Sequence, residues 1–154
     1  MKRALRFRLF GPPKPPAELR AAAERPDVLL AEDGVSVKCS GRNVRLPGVR
    51  ASRSVRLVTG SIVLLPDRVL ASIGAFVVLD AGRDAPAKEG QTLTIAEDGV
   101  HIVVELSSLL PEAKGTIELT YRGPVDPAIV AQALPTPRPV AVSDAVAVMA
   151  RQWV

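Results

Sequence analysis

The chain is predicted to be mainly β, a small antiparallel barrel or sandwich of about seven strands followed by a C-terminal capping helix. Three observations predict it. Short runs of alternating apolar residues recur between turn signals, and the one strong helix start comes after the last of them. Apolar residues make up 47% of the chain but aromatics only 3%, so the core is aliphatic. At 154 residues the chain suits one domain with terminal extensions.

Residues 1–26 read as a basic, proline-rich arm. Pro12, Pro13, Pro15 and Pro16 block regular pairing, and residues 17–24 hold enough helix formers for one or two turns before Pro26. The β domain is expected over residues 27–134. Val35, Val37 and Cys39 alternate with Ser36 and Lys38, and Glu32-Asp33-Gly34 reads as a turn pairing residues 28–31 with them in a first hairpin. Residues 53–58 form a third strand in which Arg53 and Arg56 break the alternation. Residues 61–65 and 69–73 then flank Pro66-Asp67 so closely that they read as a tight hairpin.

Residues 76–79 follow, closed by Asp80-Ala81-Gly82, and a polar loop leads to Leu93 and Ile95, which point inward. Glu97-Asp98-Gly99 turns the chain into a strand whose Val100, Ile102, Val104 and Leu106 share one face, as do Ile117, Leu119 and Tyr121 in the next. The pentapeptide at 31–35 recurs at 96–100, a repeat attributed to shared turn chemistry. Asp126 is an N-cap with Pro127 at the first helical position, and the helix runs to Leu134 before Pro135, with Ile129, Val130, Ala133 and Leu134 as its stripe. Residues 135–154 are a stiff proline spacer and a second short helix. Ser143 caps it, and Val146, Met149 and Trp153 recur at helical spacing, as in a helix docked on the core or on a second copy.

Charge is unevenly spread. Residues 1–58 hold thirteen Lys and Arg against five acids, a net of +8, whereas residues 59–154 hold seven against eleven, a net of −4. The candidate site is therefore the basic series Lys38, Arg42, Arg45, Arg50, Arg53 and Arg56, facing an anionic partner. The competing reading is a solvated loop and edge strand protected from aggregation. Each base near an anionic membrane contributes about 1 kcal/mol, so four or five, helped by Arg3, Arg6 and Arg8, give weak reversible attachment. Scarce aromatic rings argue against single-stranded nucleic acid.

The single Cys39 cannot make an intrachain disulfide or a thiolate metal site, and it reads as a small buried hydrophobe. One cysteine and no bilayer-length apolar run point to a cytoplasmic protein, peripheral at most to the inner membrane surface. His101 is the only histidine and alternates away from the apolar face of its strand. Glu97, Asp98 and Glu105 lie near it in sequence without forming a hydrolytic pattern. No glycine-rich phosphate cradle, nucleophile elbow or paired metal-ligand motif is present. No catalysis, cofactor or metal is expected.

Short antiparallel strands followed by one helix is also the order of pleckstrin-homology (PH) domains. Gly60-Ser61-Ile62-Val63-Leu64-Leu65-Pro66-Asp67-Arg68-Val69-Leu70-Ala71 resembles the hairpin of the GRAM and bacterial PH families, in which a Gly opens the strand, a turn carries a base and an apolar strand follows. The resemblance covers residues 28–134 in architecture and those twelve residues in motif. It implies binding of phosphoinositides, peptides or proteins rather than catalysis. Lipid-binding members of the family carry a basic-x-basic pattern. Here Arg53-Ser54-Val55-Arg56 spaces its bases by two residues, which in a strand sends the guanidinium groups to opposite faces and argues against one phosphate clamp. The expected function is a non-catalytic PH-like binding or scaffolding module for a protein partner or anionic lipid surface. Self-association as a homo-dimer is the alternative, and a small-ligand carrier the third.

Overall fold

Alternation builds the second half of the sheet as expected. In β5 (Gln91–Ala96), β6 (Gly99–Glu105) and β7 (Lys114–Arg122), Leu93, Ile95, Val100, Ile102, Val104, Ile117, Leu119 and Tyr121 are buried, and the residues between them are at least partly exposed. The structure is a computed structural model that describes residues 14–153, so the basic stretch carrying Arg3, Arg6 and Arg8 lies outside the described residues. Before these strands come β1 (Leu30–Leu46), β2 (Val49–Leu65), β3 (Arg68–Ile73) and β4 (Phe76–Gly82), and after them the two-residue β8 (Arg138–Pro139). All pair antiparallel in one sheet of order β4-β3-β2-β1-β7-β6-β5-β8, which curls into a half-barrel. Three α-helices, α1 (Ala17–Ala23), α2 (Pro127–Gln132) and α3 (Ala145–Trp153), and a 3-10 turn at Leu106–Ser108 complete the described elements.

The first half departs from its expected segmentation. At 97–99, Glu-Asp-Gly turns the chain, with Ala96 paired to Gly99. At 32–34 it does not: Glu32 pairs with Ile62 and Val35 with Gly60, so the extra residue becomes a bulge inside a continuous 17-residue β1. Gly34 supplies the bulge with a φ of 64°. The hairpin expected between residues 28–31 and 35–39 is thus replaced by one long strand. Its partner β2 is equally long and runs through Gly60, because a Cβ there would collide with the carbonyl oxygen of Ser72. The segment expected to separate two strands is instead paired with β3, Gly60 standing opposite Ile73. The tight hairpin around Pro66-Asp67 forms as read, closed by the Leu65–Arg68 pair.

Both faces of the β2–β3 hairpin are covered, which explains its unbroken apolar run. Ile62 and Leu64 face the main core, whereas Val63, Leu65 and Leu70 pack with Leu19 and Ala22 of α1. Across the interior, the Tyr121 hydroxyl donates to the Ser72 carbonyl oxygen at 2.9 Å. Tyr121 is fully buried in the main core.

The closing elements also differ. α2 starts as expected, with Asp126 accepting the Ala128 N–H at 2.8 Å and Pro127 following the cap. It ends at Gln132, and the expected stripe packs on the core: Ile129 and Val130 lie half-buried against it, and Ala133 and Leu134, just past the helix, are buried. The second helix, α3, packs on the same core, burying Val146, Ala147, Ala150 and Trp153, and starts where Ser143 Oγ accepts the Ala145 N–H at 3.2 Å. Between the two helices the chain bridges the open side of the sheet. Val140 N donates to the Gln91 carbonyl at 3.1 Å, and Ser143 N donates to Val78 of β4 at 2.9 Å. Fully buried Gln91 fastens this bridge: its Oε1 accepts the Val142 N–H at 2.6 Å and its Nε2 donates to Ser108 Oγ at 3.0 Å.

Candidate functional site

The outer surface of the β1–β2 hairpin carries the basic series. Residues 42–53, expected as loop and edge, are instead the outer arms of this hairpin, joined at Pro47-Gly48. Asn43 has a φ of 50° and sits at a bulge opposite β7. Past it the alternation resets, so Val44 and Leu46 are buried while Arg42 and Arg45 both stay exposed. Gly115 makes the bulge possible, because a Cβ there would lie 2.6 Å from the Arg42 carbonyl oxygen.

The register sets like charges directly opposite one another. Arg42 pairs with Arg53 and Arg45 with Arg50, and on its other side Arg45 pairs with Lys114 of β7. Facing like charges oppose folding. Among the described residues, none of these five makes a salt bridge. Around the hairpin tip Arg45, Arg50 and Lys114, with Glu112, line a shallow hollow of about 680 Å³. A second, of about 370 Å³, is lined by Lys38, Arg42, Arg53, Val55, Val103 and Glu118. The tip is tied to α3 by Arg151, whose Nη2 donates to the Pro47 carbonyl at 2.6 Å.

Arg56 stands apart from this group. It pairs with buried Cys39, on the opposite side of β2 from Arg53, as the two-residue spacing implies. Its charge opposes the effect of burial on that thiol, but burial dominates and the Cys39 pKa is pushed up to about 12. Five of the six sequence-predicted residues, Lys38, Arg42, Arg45, Arg50 and Arg53, therefore share the outer surface. Sequence reading missed Lys114, which register alone brings beside Arg45.

Beside the basic series, His101 bridges two carboxylates. Its Nε2 lies 3.1 Å from Asp98 Oδ1 and its Nδ1 3.3 Å from Glu118 Oε1. The hydrogen bond from His101 holds the Asp98 carboxyl below its usual range. Glu118 was not singled out in the sequence, although outward alternation on two adjacent strands brings it to His101. The hydroxyl of Thr120 lies 3.4 Å from Nδ1 and donates to Glu118 at 3.4 Å, so it belongs to the cross-strand hydrogen bonding. Among the described residues no group of three or more His, Cys, Asp or Glu is placed to hold a metal ion, and no helix is long and apolar enough to cross a membrane. No family model, curated protein or solved structure matches the chain, so the geometry of these residues is the basis for any functional reading.

Proposed function

We propose that the protein is a non-catalytic, PH-like binding or scaffolding module whose β1–β2 hairpin receives an anionic partner, either an acidic protein surface or anionic lipid headgroups. The observation that carries this reading is the row Arg50–Arg45–Lys114 beside the pair Arg42–Arg53, facing cations that make no salt bridge among the described residues. A phosphate or carboxylate placed between two guanidinium groups turns that repulsion into charge-assisted hydrogen bonds. The rigid arms of a sheet hold the groups in position before the partner arrives, which lowers the ordering cost of binding. Antiparallel strands followed by helices that pack on the core support the PH-like part of the reading.

Co-sedimentation of the full chain with vesicles of anionic or neutral phospholipid, and with an acidic polypeptide, at low and high salt tests the reading. Expected is capture by at least one anionic probe, lost as salt rises. Binding to neutral and anionic vesicles alike, or to neither vesicle nor acidic polypeptide, contradicts it.

A further inference from the structure

We propose that the open edge of β2 takes up an extended acidic segment of another protein as an added antiparallel strand. This deepens the anion-binding reading and rests on it, choosing a polypeptide over a lipid headgroup. β2 runs from Val49 to Leu65 with β1 along one side, but β3 reaches only its second part, starting where Gly60 stands opposite Ile73. Among the described residues, no strand pairs with residues 49–58 on the β3 side. The direction of the unpaired groups follows from Thr59, whose carbonyl oxygen accepts the Gly74 N–H at 2.9 Å on that side. Alternate residues of an antiparallel strand face the same neighbour, so Leu57, Val55 and Arg53 present their N–H and C=O groups to the open side. The side chains there are open as well: Arg53, Val55, Arg56 and Leu57 are all exposed.

An unpaired edge that carries Val55 and Leu57, each 59% exposed, is a template for strand addition. Its charge selects the strand. β2 holds Arg50, Arg53 and Arg56 and no acid, and among the described residues none of the three makes a salt bridge. A second copy brings the same bases to this edge, and residues 1–13 of the chain hold four bases and no acid, so charge opposes both. A headgroup phosphate can accept from these arginines, but only a polypeptide supplies N–H and C=O groups in alternation to pair with Arg53, Val55 and Leu57. Register then defines the partner. Apolar side chains lie beside Val55 and Leu57 on the outer face, with one carboxylate beside Arg53 on that face and another beside Arg56 on the opposite face. Read from the N-terminus of an antiparallel partner, the pattern is apolar, acidic, apolar, any residue, acidic.

The probe is a fluorescent peptide with Val-Glu-Val-Thr-Glu at its centre, titrated against the full chain and followed by anisotropy. Two further peptides of the same charge carry N-methyl groups: one on both valines, whose N–H groups face β2, the other on the first Glu and the Thr, whose N–H groups face away. Methylating the inward amides is expected to raise the dissociation constant at least about 10-fold, and methylating the outward ones to change it by less than about 2-fold. Hydrogen exchange at the amides of Arg53, Val55 and Leu57 is expected to be fast in the free chain and slowed by the peptide. Equal affinity for the two methylated peptides overturns strand addition while the anion reading stands. Protection of those three amides before any peptide is added, by residues 1–13 or by a second copy, does the same, as does capture of anionic vesicles without peptide binding. Binding of neither peptide nor vesicle overturns both readings.

Discussion

Replacing Arg42 and Arg45 together with Thr is expected to stabilise the free protein while weakening its binding to anions. Arg42 faces Arg53, and Arg45 faces both Arg50 and Lys114, so the double substitution removes three like-charge contacts. Two unit charges about 7 Å apart in water repel by about 0.6 kcal/mol, and 0.1 M salt screens this to about 0.3 kcal/mol. Three contacts then amount to about 0.9 kcal/mol, in line with the ~0.2–1 kcal/mol range for cross-strand pairs. Thr keeps the strand preference, and both arginines are exposed, so little packing is lost with them. In a domain of this size the melting temperature rises by about 3 °C at low salt. At 1 M salt, where the screening length is about 3 Å, the gain nearly vanishes. Binding to anionic vesicles falls by about 5-fold per base removed, near 25-fold for the pair. Thermal melts at two salt concentrations and vesicle co-sedimentation read both effects. A destabilised double variant, a gain independent of salt, or unchanged binding refutes the reasoning.

Gln91→Leu leaves the Val142 N–H and Ser108 without their buried partner and is expected to cost about 1–3 kcal/mol by urea denaturation, with early proteolytic cutting between β8 and α3. Trp153→Ala empties a largely buried site on α3 and is expected to cost about 3–5 kcal/mol in the same measurement. Cys39 is 1% exposed and burial raises its pKa to about 12, so the native thiol resists alkylation at pH 8 and reacts once urea unfolds the chain. The sign for stability follows from the raised pKa. The unfolded thiol ionises near 9 while the folded one stays protonated, so this contribution is intact below pH 9 and is lost between pH 9 and about 12.

Legibility in the sequence followed the range of the interactions. β5, β6 and β7 were readable because their alternation is local and each buries one face. The Pro66-Asp67 hairpin and the Asp126 cap were readable for the same reason. The two Glu-Asp-Gly tripeptides were not distinguishable, since what makes one a turn and the other a bulge is the partner opposite: Gly60 and Ile62 on β2 hold β1 extended through 32–34. Both closing helices were legible as apolar stripes behind a cap, but the bridge between them was not, because it hangs on Gln91, a buried side chain of β5 that lies 51 residues from its partner Val142. At the site, opposite faces for Arg53 and Arg56 followed from spacing alone. The facing of Arg42 with Arg53 depends on a hairpin tip at Pro47-Gly48, and Lys114 on pairing with a strand some seventy residues away.

Backbone amide shifts followed by nuclear magnetic resonance, as a short acidic polypeptide or an inositol phosphate is added, locate the anion surface directly. Salt-sensitive shifts concentrated at residues 42–53 and at Lys114 are the expected result. Shifts confined to other strands or to α3, or no shifts with either anion, place the binding elsewhere and leave the facing arginines without the role assigned to them.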